Sequence, residues 1–153
     1  MTVGKEINLL RNYPQSKRDV SGRLDVKTKE DQRIAQKFGK EFFDGSRNHG
    51  YGGFSYSPRF WQPVIPTFQK HWSLTGGDSL LDIGCAKGFM LHDLKQLIPD
   101  IIVHGVDISK YAINNAKNEV KRYCKVSNAT ELPFDDKSID VCISVTTLHN
   151  LEE

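Results

Sequence analysis

Residues 80–90, Leu-Leu-Asp-Ile-Gly-Cys-Ala-Lys-Gly-Phe-Met, constrain this chain more than any other stretch. A short apolar run ends in an acid, turns on glycine and passes into helical spacing. Such a run reads as a buried parallel strand feeding a ligand-binding loop at the carboxyl edge of a sheet. Gly84 and Gly88 lack a Cβ, so the backbone can turn sharply there and a ligand can come close. The helix that follows would aim free N–H groups and its positive dipole end at the loop. Spacing argues against two familiar nucleotide loops. Neither glycine is followed by Lys-Ser or Lys-Thr, as a Walker A loop requires, and Ala86 and Phe89 stand where a dinucleotide fingerprint has its second and third glycines.

The rest of the chain alternates in a way that supports a parallel α/β sheet. Strands are expected at 79–83, 101–106, 123–126 and 140–145. The helix after the glycine loop should turn Met90, Leu91, Leu94, Leu97 and Ile98 inward and stop at Pro99. Ser109 should cap the next helix, with Ala112, Ile113, Ala116 and Val120 as its buried face. Upstream, Thr28 reads as a helix cap, and Ile34, Ala35, Phe38, Phe42 and Phe43 recur at helical spacing until Asp44-Gly45-Ser46. A short helix with Pro63 in its first turn would share Val64, Phe68, His71 and Trp72 on one face. Between these lies Arg47-Asn48-His49-Gly50-Tyr51-Gly52-Gly53-Phe54-Ser55-Tyr56. Its glycines suit a lid with Tyr51 or His49 reaching a ligand; its aromatics equally suit a plug at the core edge.

Three units are therefore expected: a flexible arm over 1–27, a helical extension with the glycine and aromatic loop over 28–78, and a ligand-binding core over 79–153. A net charge of +2 with interspersed signs gives no nucleic-acid stripe. The three cysteines form no C-x-x-C pair, which suggests a reducing compartment and no metal site. With neither an apolar leader nor a membrane-length run, the chain reads as cytoplasmic.

Asp107 closes the second strand about 20 residues beyond the glycine loop, where a carboxylate can accept from both hydroxyls of a ribose. Asp82-Ile83-Gly84-Cys85-Ala86-Lys87-Gly88 resembles the first motif of class I S-adenosylmethionine-dependent methyltransferases, which usually carry another glycine where Ala86 stands. Ser127-Asn128-Ala129-Thr130-Glu131-Leu132-Pro133-Phe134 resembles their adenine-flanking segment. Residues 134–151 look like the fourth motif of the branch that includes quinone-biosynthesis methyltransferases. The resemblance covers about 79–151. It implies a three-layer Rossmann-like methyltransferase fold with a mainly parallel sheet, holding the first four strands, plus the N-terminal helical extension.

It further implies S-adenosylmethionine as donor, no metal, and a small-molecule acceptor. The donor would be held by Asp82, Gly84, Cys85, Ala86, Lys87 and Gly88 of the loop. Asp107, Ile108, Asn128 and Ala129 would hold the nucleoside, and Ser144 and Tyr51 would complete the site. Lys87 would contact the donor carboxylate or face solvent. His149, after the fourth strand, is the candidate base for an oxygen nucleophile, with His49 as the other option. The Gly-Tyr-Gly-Gly segment, with Arg47-Asn48 and Arg59-Phe60-Trp61, looks like a sub-branch acting near sugar and surface-polysaccharide biosynthesis. Since such sheets continue beyond a fourth strand, three states of the chain are expected: part of a longer enzyme, a homodimer paired through the fourth-strand edge, or a non-catalytic remnant. The 153 residues alone should bind the donor weakly. An NAD-type oxidoreductase is the rival from another class.

Overall fold

The computed structural model describes residues 4–15 and 27–151. Its strands are β1 (Ser79–Ile83), β2 (Ile102–Asp107), β3 (Cys124–Val126) and β4 (Val141–Ile143). They pair in parallel in the order β3-β2-β1-β4. β1 lies inside the sheet because both of its faces are apolar: Leu80 and Leu81 point to opposite sides, and both are buried. Leu80 pairs with Val103 and with Val141, which aligns the carboxyl ends of β1 and β2 along one crevice.

The helices are α1 (Lys29–Ala35), α2 (Lys40–Asp44), α3 (Pro58–Trp61), α4 (Ile65–Trp72), α5 (Phe89–Leu97), α6 (Lys110–Asn114) and α7 (Asn118–Lys121). A 3-10 turn follows at Leu148–Asn150. Val64 and Phe68 at α4, and Leu91 and Leu94 of α5, pack with Leu80 and Val103 in one core. Burying each such side chain contributes roughly 1.5–3 kcal/mol, so this layer fixes the sheet that carries the crevice. Leu97, expected inside, is 40% exposed at the end of α5. His71, expected on the apolar face of α4, is also exposed, and it is Pro66 that sits in that helix's first turn.

Elsewhere the sequence pattern runs on where the backbone turns. The apolar stripe from Ile34 to Phe43 reads as one helix, but α1 and α2 are separate. Phe38 has φ +46°, a left-handed conformation that ends a helix, and Gly39 opens the next. The Thr28 cap is present, in a reciprocal box with Asp31. β4 spans three residues instead of the expected 140–145. Asp140 precedes it, accepting from Ser79 N at 2.8 Å and Oγ at 2.7 Å, and Thr146 beyond it turns away with φ +55°. Among the described residues β4 is an edge strand.

Of the expected arm, residues 16–26 and the first three residues lie outside those described. Near the end of the described part, two residues meet the helical extension. Asn12 Nδ2 donates to Pro63 O at 3.2 Å, and the Tyr13 ring lies 5.1 Å from that of Trp61. Among the described residues no helix is long and apolar enough to cross a membrane.

Candidate functional site

The glycine turn leaves β1 with Gly84 at φ +88°, and Gly84 and Cys85 both donate their N–H to Val106 O. A Cβ on Gly84 would stand 1.9 Å from Thr147 Oγ1, so only glycine permits this approach of the chain after β4. Gly88, at φ +72°, meets Val120 Cγ2 and Cys124 Sγ at 3.0 and 3.3 Å from an added Cβ. Its requirement therefore comes from core packing and backbone conformation. At the tip of β2, Asp107 accepts from Ala86 N and from Ser109 N, each at 2.8 Å on a different carboxylate oxygen. Each oxygen keeps a second lone pair. Burial pushes Asp107 above the usual carboxylate range, against the pull of these two N–H donors.

An open cleft of about 490 Å3 lies over these strand tips. Gly84, Ala86 and Asp107 form its floor; Ile108, Asn128 and Ala129 form one side. Phe42, Phe43 and Tyr51 close it from the helical extension, and Val145, Thr146 and Thr147 close it from beyond β4. The donor implied by the fold fits this floor. A ribose diol would meet the two open lone pairs of Asp107. Ile108, 54% exposed at the cleft, offers the apolar face that an adenine ring would cover. Asn128 is less free than its sequence suggests, because its Oδ1 already accepts from Thr130 N at 3.0 Å.

Tyr51, Gly84, Ala86, Asp107, Ile108, Asn128 and Ala129 thus share one cleft; other expected site residues point elsewhere. Lys87 Nζ donates to Asp44 Oδ2 at 2.7 Å and to Phe54 O at 2.8 Å, and its side chain is buried from solvent. Cys85 is buried, its Sγ over Gly105. Ser144 Oγ donates to Ile83 O at 3.2 Å. His149 is exposed in its 3-10 turn and does not line the cleft. His49 faces away, with Nε2 3.1 Å from Asp31 Oδ1.

The Gly-Tyr-Gly-Gly loop is tied to α2 and to the start of α5. Tyr51 N and Gly53 N donate to Phe42 O and Phe43 O, and Phe54 stacks on Phe89 at 4.9 Å. Gly50 serves close packing, since a Cβ there would fall 2.2 Å from Phe42 O, whereas Gly52 and Gly53 take the left-handed backbone at φ +68° and +108°.

Two features escaped the sequence reading. Asp44, taken only as a helix end, accepts from Lys87, from Phe54 N at 2.9 Å and from Tyr111 Oη at 2.6 Å. Asp93, fully buried in α5, accepts from Tyr56 Oη at 2.6 Å. Both tie the helical extension to the sheet domain. An acid so far from its partner along the chain leaves no local pattern to find. Among the described residues no cluster of three or more His, Cys, Asp or Glu is arranged to hold a metal ion.

Asp82, beneath the loop, does not line the cleft. Burial, reinforced by the nearby Asp107 carboxylate, pushes it up from 3.8 to about 7. The folded state therefore holds a proton that the unfolded chain releases above pH 4. Stability from this group is fully present below about pH 4 and is lost as pH rises toward 7, on the order of 4 kcal/mol. Asp82→Asn cannot ionise. Thermal melts at pH 5 and pH 8 should show the variant gaining on the native protein at the higher pH; an equal difference at both would refute the shift.

Known proteins share these features. Residues 81–153 match a family model described as a methyltransferase domain. Demethylmenaquinone methyltransferase of Tropheryma whipplei is 31% identical over 85 residues, 54% of this chain and 35% of that protein. The 27-O-demethylrifamycin SV methyltransferase of Amycolatopsis mediterranei is 30% identical over 87 residues, 52% of this chain and 32% of that protein. The chain thus spans about a third of the length of these two curated relatives. Phosphoethanolamine N-methyltransferase 2 of Haemonchus contortus, solved with S-adenosylhomocysteine, aligns with 86% of this chain and 30% of its own, at 22% identity and a TM-score of 0.54. At that identity the likeness is one of fold. In strand order, in the glycine turn that donates to Asp107 and in the match of residues 81–153 to a methyltransferase domain, the chain is similar to the class I, Rossmann-like S-adenosylmethionine-dependent methyltransferases.

Proposed function

We propose that this protein transfers a methyl group from S-adenosylmethionine to a small-molecule acceptor. The observation that carries the reading is Asp107, fixed by the N–H groups of Ala86 and Ser109 with two lone pairs left at the cleft. Bound there, the donor supplies a methyl group already activated on a positively charged sulfur. The chain's own contribution is orientation and exclusion of water. Asp107 holds the ribose, Gly84 and Ala86 of the glycine turn bound the floor, and the rings of Phe42, Phe43 and Tyr51 keep water from the path. Small molecules stand in the names of two relatives, demethylmenaquinone and 27-O-demethylrifamycin SV, which supports an acceptor of that size. A sugar or surface-polysaccharide precursor, implied by the Gly-Tyr-Gly-Gly segment, is one member of that class.

Thermal shift with S-adenosylmethionine, S-adenosylhomocysteine and NAD tests the donor. Ligand at about 100 times its dissociation constant adds about 2.7 kcal/mol of stability. The two adenosyl sulfur compounds should raise the melting midpoint and NAD should not. Stabilisation by NAD alone would end the reading in favour of an oxidoreductase.

A further inference from the structure

Two thiols that take no part in holding the donor lie beneath the glycine turn, both buried in the core. Cys85 stands between Gly84 and Ala86 of the cleft floor, and Cys124 opens β3 directly across from Gly105 of β2. Gly105 has no side chain, and Cys85 takes the space: a Cβ there would stand 2.7 Å from Cys85 Sγ. Paired residues on neighbouring strands are about 4.8 Å apart and point to one face of the sheet, so Cys85 Sγ comes down beside Cys124. From the other side, a Cβ on Gly88, which ends the turn, would stand 3.3 Å from Cys124 Sγ. The Cys85 thiol donates a hydrogen bond to Cys124 Sγ. That bond holds the Cys124 thiol below its ordinary pKa, against burial, and pushes Cys85 up, where burial adds to the rise.

The floor of the cleft hangs on this place. Ala86 N donates to Asp107 Oδ2 at 2.8 Å, and Gly84 N and Cys85 N share Val106 O. β3 is fixed on the far side, where Gly105 N donates to Tyr123 O at 2.9 Å and Ser127 N to Asp107 O at 3.0 Å. A disulfide holds its sulfurs about 2.05 Å apart, closer than any thiol hydrogen bond. Bridging therefore draws the turn toward β3 rather than the strand toward the turn. The turn has little slack to give, since Ala86 already sits at φ +49°, a region that few residues other than glycine enter.

We propose that Cys85 and Cys124 are a disulfide-forming pair, and that the bridge pulls Ala86 off Asp107 and so lowers affinity for the donor. The oxidant is a hydroperoxide, of which hydrogen peroxide is the smallest. Cys124 Sγ, as the thiolate, attacks one peroxide oxygen; the O–O bond breaks, and the hydroxide released takes the thiol proton to form water. Cys85 Sγ then attacks the sulfenic acid at Cys124 Sγ. The S–O bond breaks, and hydroxide leaves with the Cys85 proton as a second water. The two thiols have lost two electrons, and the peroxide has become two waters. The loss of affinity rests on the donor reading above; the bridge itself does not.

The test uses the full chain carrying Cys142→Ser, which removes the exposed third thiol. After hydrogen peroxide the protein should be two hydrogens lighter by intact mass, with peptide mapping joining Cys85 to Cys124. Its affinity for S-adenosylhomocysteine should fall at least about tenfold in titration calorimetry, the worth of one hydrogen bond to a carboxylate. Dithiothreitol should restore it. Adding Cys124→Ser keeps a small hydroxyl where the thiol was and should make affinity insensitive to the same treatment. Thiols left intact, a gain of oxygen in place of the bridge, a bridge that leaves affinity unchanged, or an equal loss with Cys124→Ser would each overturn the proposal. Reduced protein that fails to bind S-adenosylhomocysteine would instead overturn the donor reading and the affinity step with it, while mass and mapping still decide the bridge.

Discussion

Asp107→Asn should bind S-adenosylhomocysteine at least about 100-fold more weakly than the native protein in titration calorimetry. The argument is a count of lone pairs. A carboxylate offers about four, of which Ala86 N and Ser109 N occupy one on each oxygen. The remaining pair can accept both hydroxyls of a ribose. Each hydrogen bond to a charged acceptor is worth about 1.5–3 kcal/mol, so losing two of that kind costs a hundredfold or more. Asparagine keeps one oxygen and turns an amide N–H2 toward a site built for acceptors. One of the two backbone N–H donors then also faces a donor, which should lower stability by about 1–3 kcal/mol. Melting of the variant without ligand separates this structural part from the binding loss. An affinity within about threefold of native would show that Asp107 serves only to hold the glycine turn and the start of α6.

The floor of the cleft was legible because its signals are local. Gly84, Asp107 and Ser109 act within a few residues of the strand ends that position them, and strand periodicity locates those ends. Spacing alone brought Asp107 to the glycine loop. What the sequence hid is long-range. The ammonium of Lys87 could serve a ligand or a distant acid equally well as far as its neighbours show, and it is Asp44, 43 positions away, that holds it. His149 illustrates the other limit: the chain after β4 turns on Thr146, and which face of that turn meets the cleft is not encoded in any periodicity. The Phe38 break failed for a different reason. An apolar stripe at helical spacing is the same whether the helix is continuous or turns between two of its members.

Asp44→Ala should destabilise the protein by about 3–5 kcal/mol in urea titration, more than any exposed ion pair could account for. The reason is what the change leaves behind. Lys87 is 8% exposed, and without Asp44 its ammonium keeps only Phe54 O as an acceptor. Phe54 N and Tyr111 Oη lose their acceptor too. The same cluster makes an acid-side prediction. Burial works against the Asp44 carboxylate, but Lys87, Tyr111 and Phe54 N together outweigh it and hold the group down, at about 2 instead of 3.8. Its contribution is complete above pH 4 and is lost as pH falls toward 2. Asp44→Ala should therefore differ most from native near neutrality and converge with it near pH 2. The double variant Asp44→Ala, Lys87→Met removes the stranded charge and should regain much of the stability, because replacing both members of a buried pair is far less costly than removing one. A single-variant loss below about 1 kcal/mol, or no recovery in the double variant, would mean that water already screens this pair. The wall of the cleft depends on the outcome. Tyr51 and Phe43 are joined to the glycine turn largely through Asp44, Phe54 and Lys87, so releasing that knot should also weaken S-adenosylhomocysteine in the single variant, though none of the three residues lines the cleft.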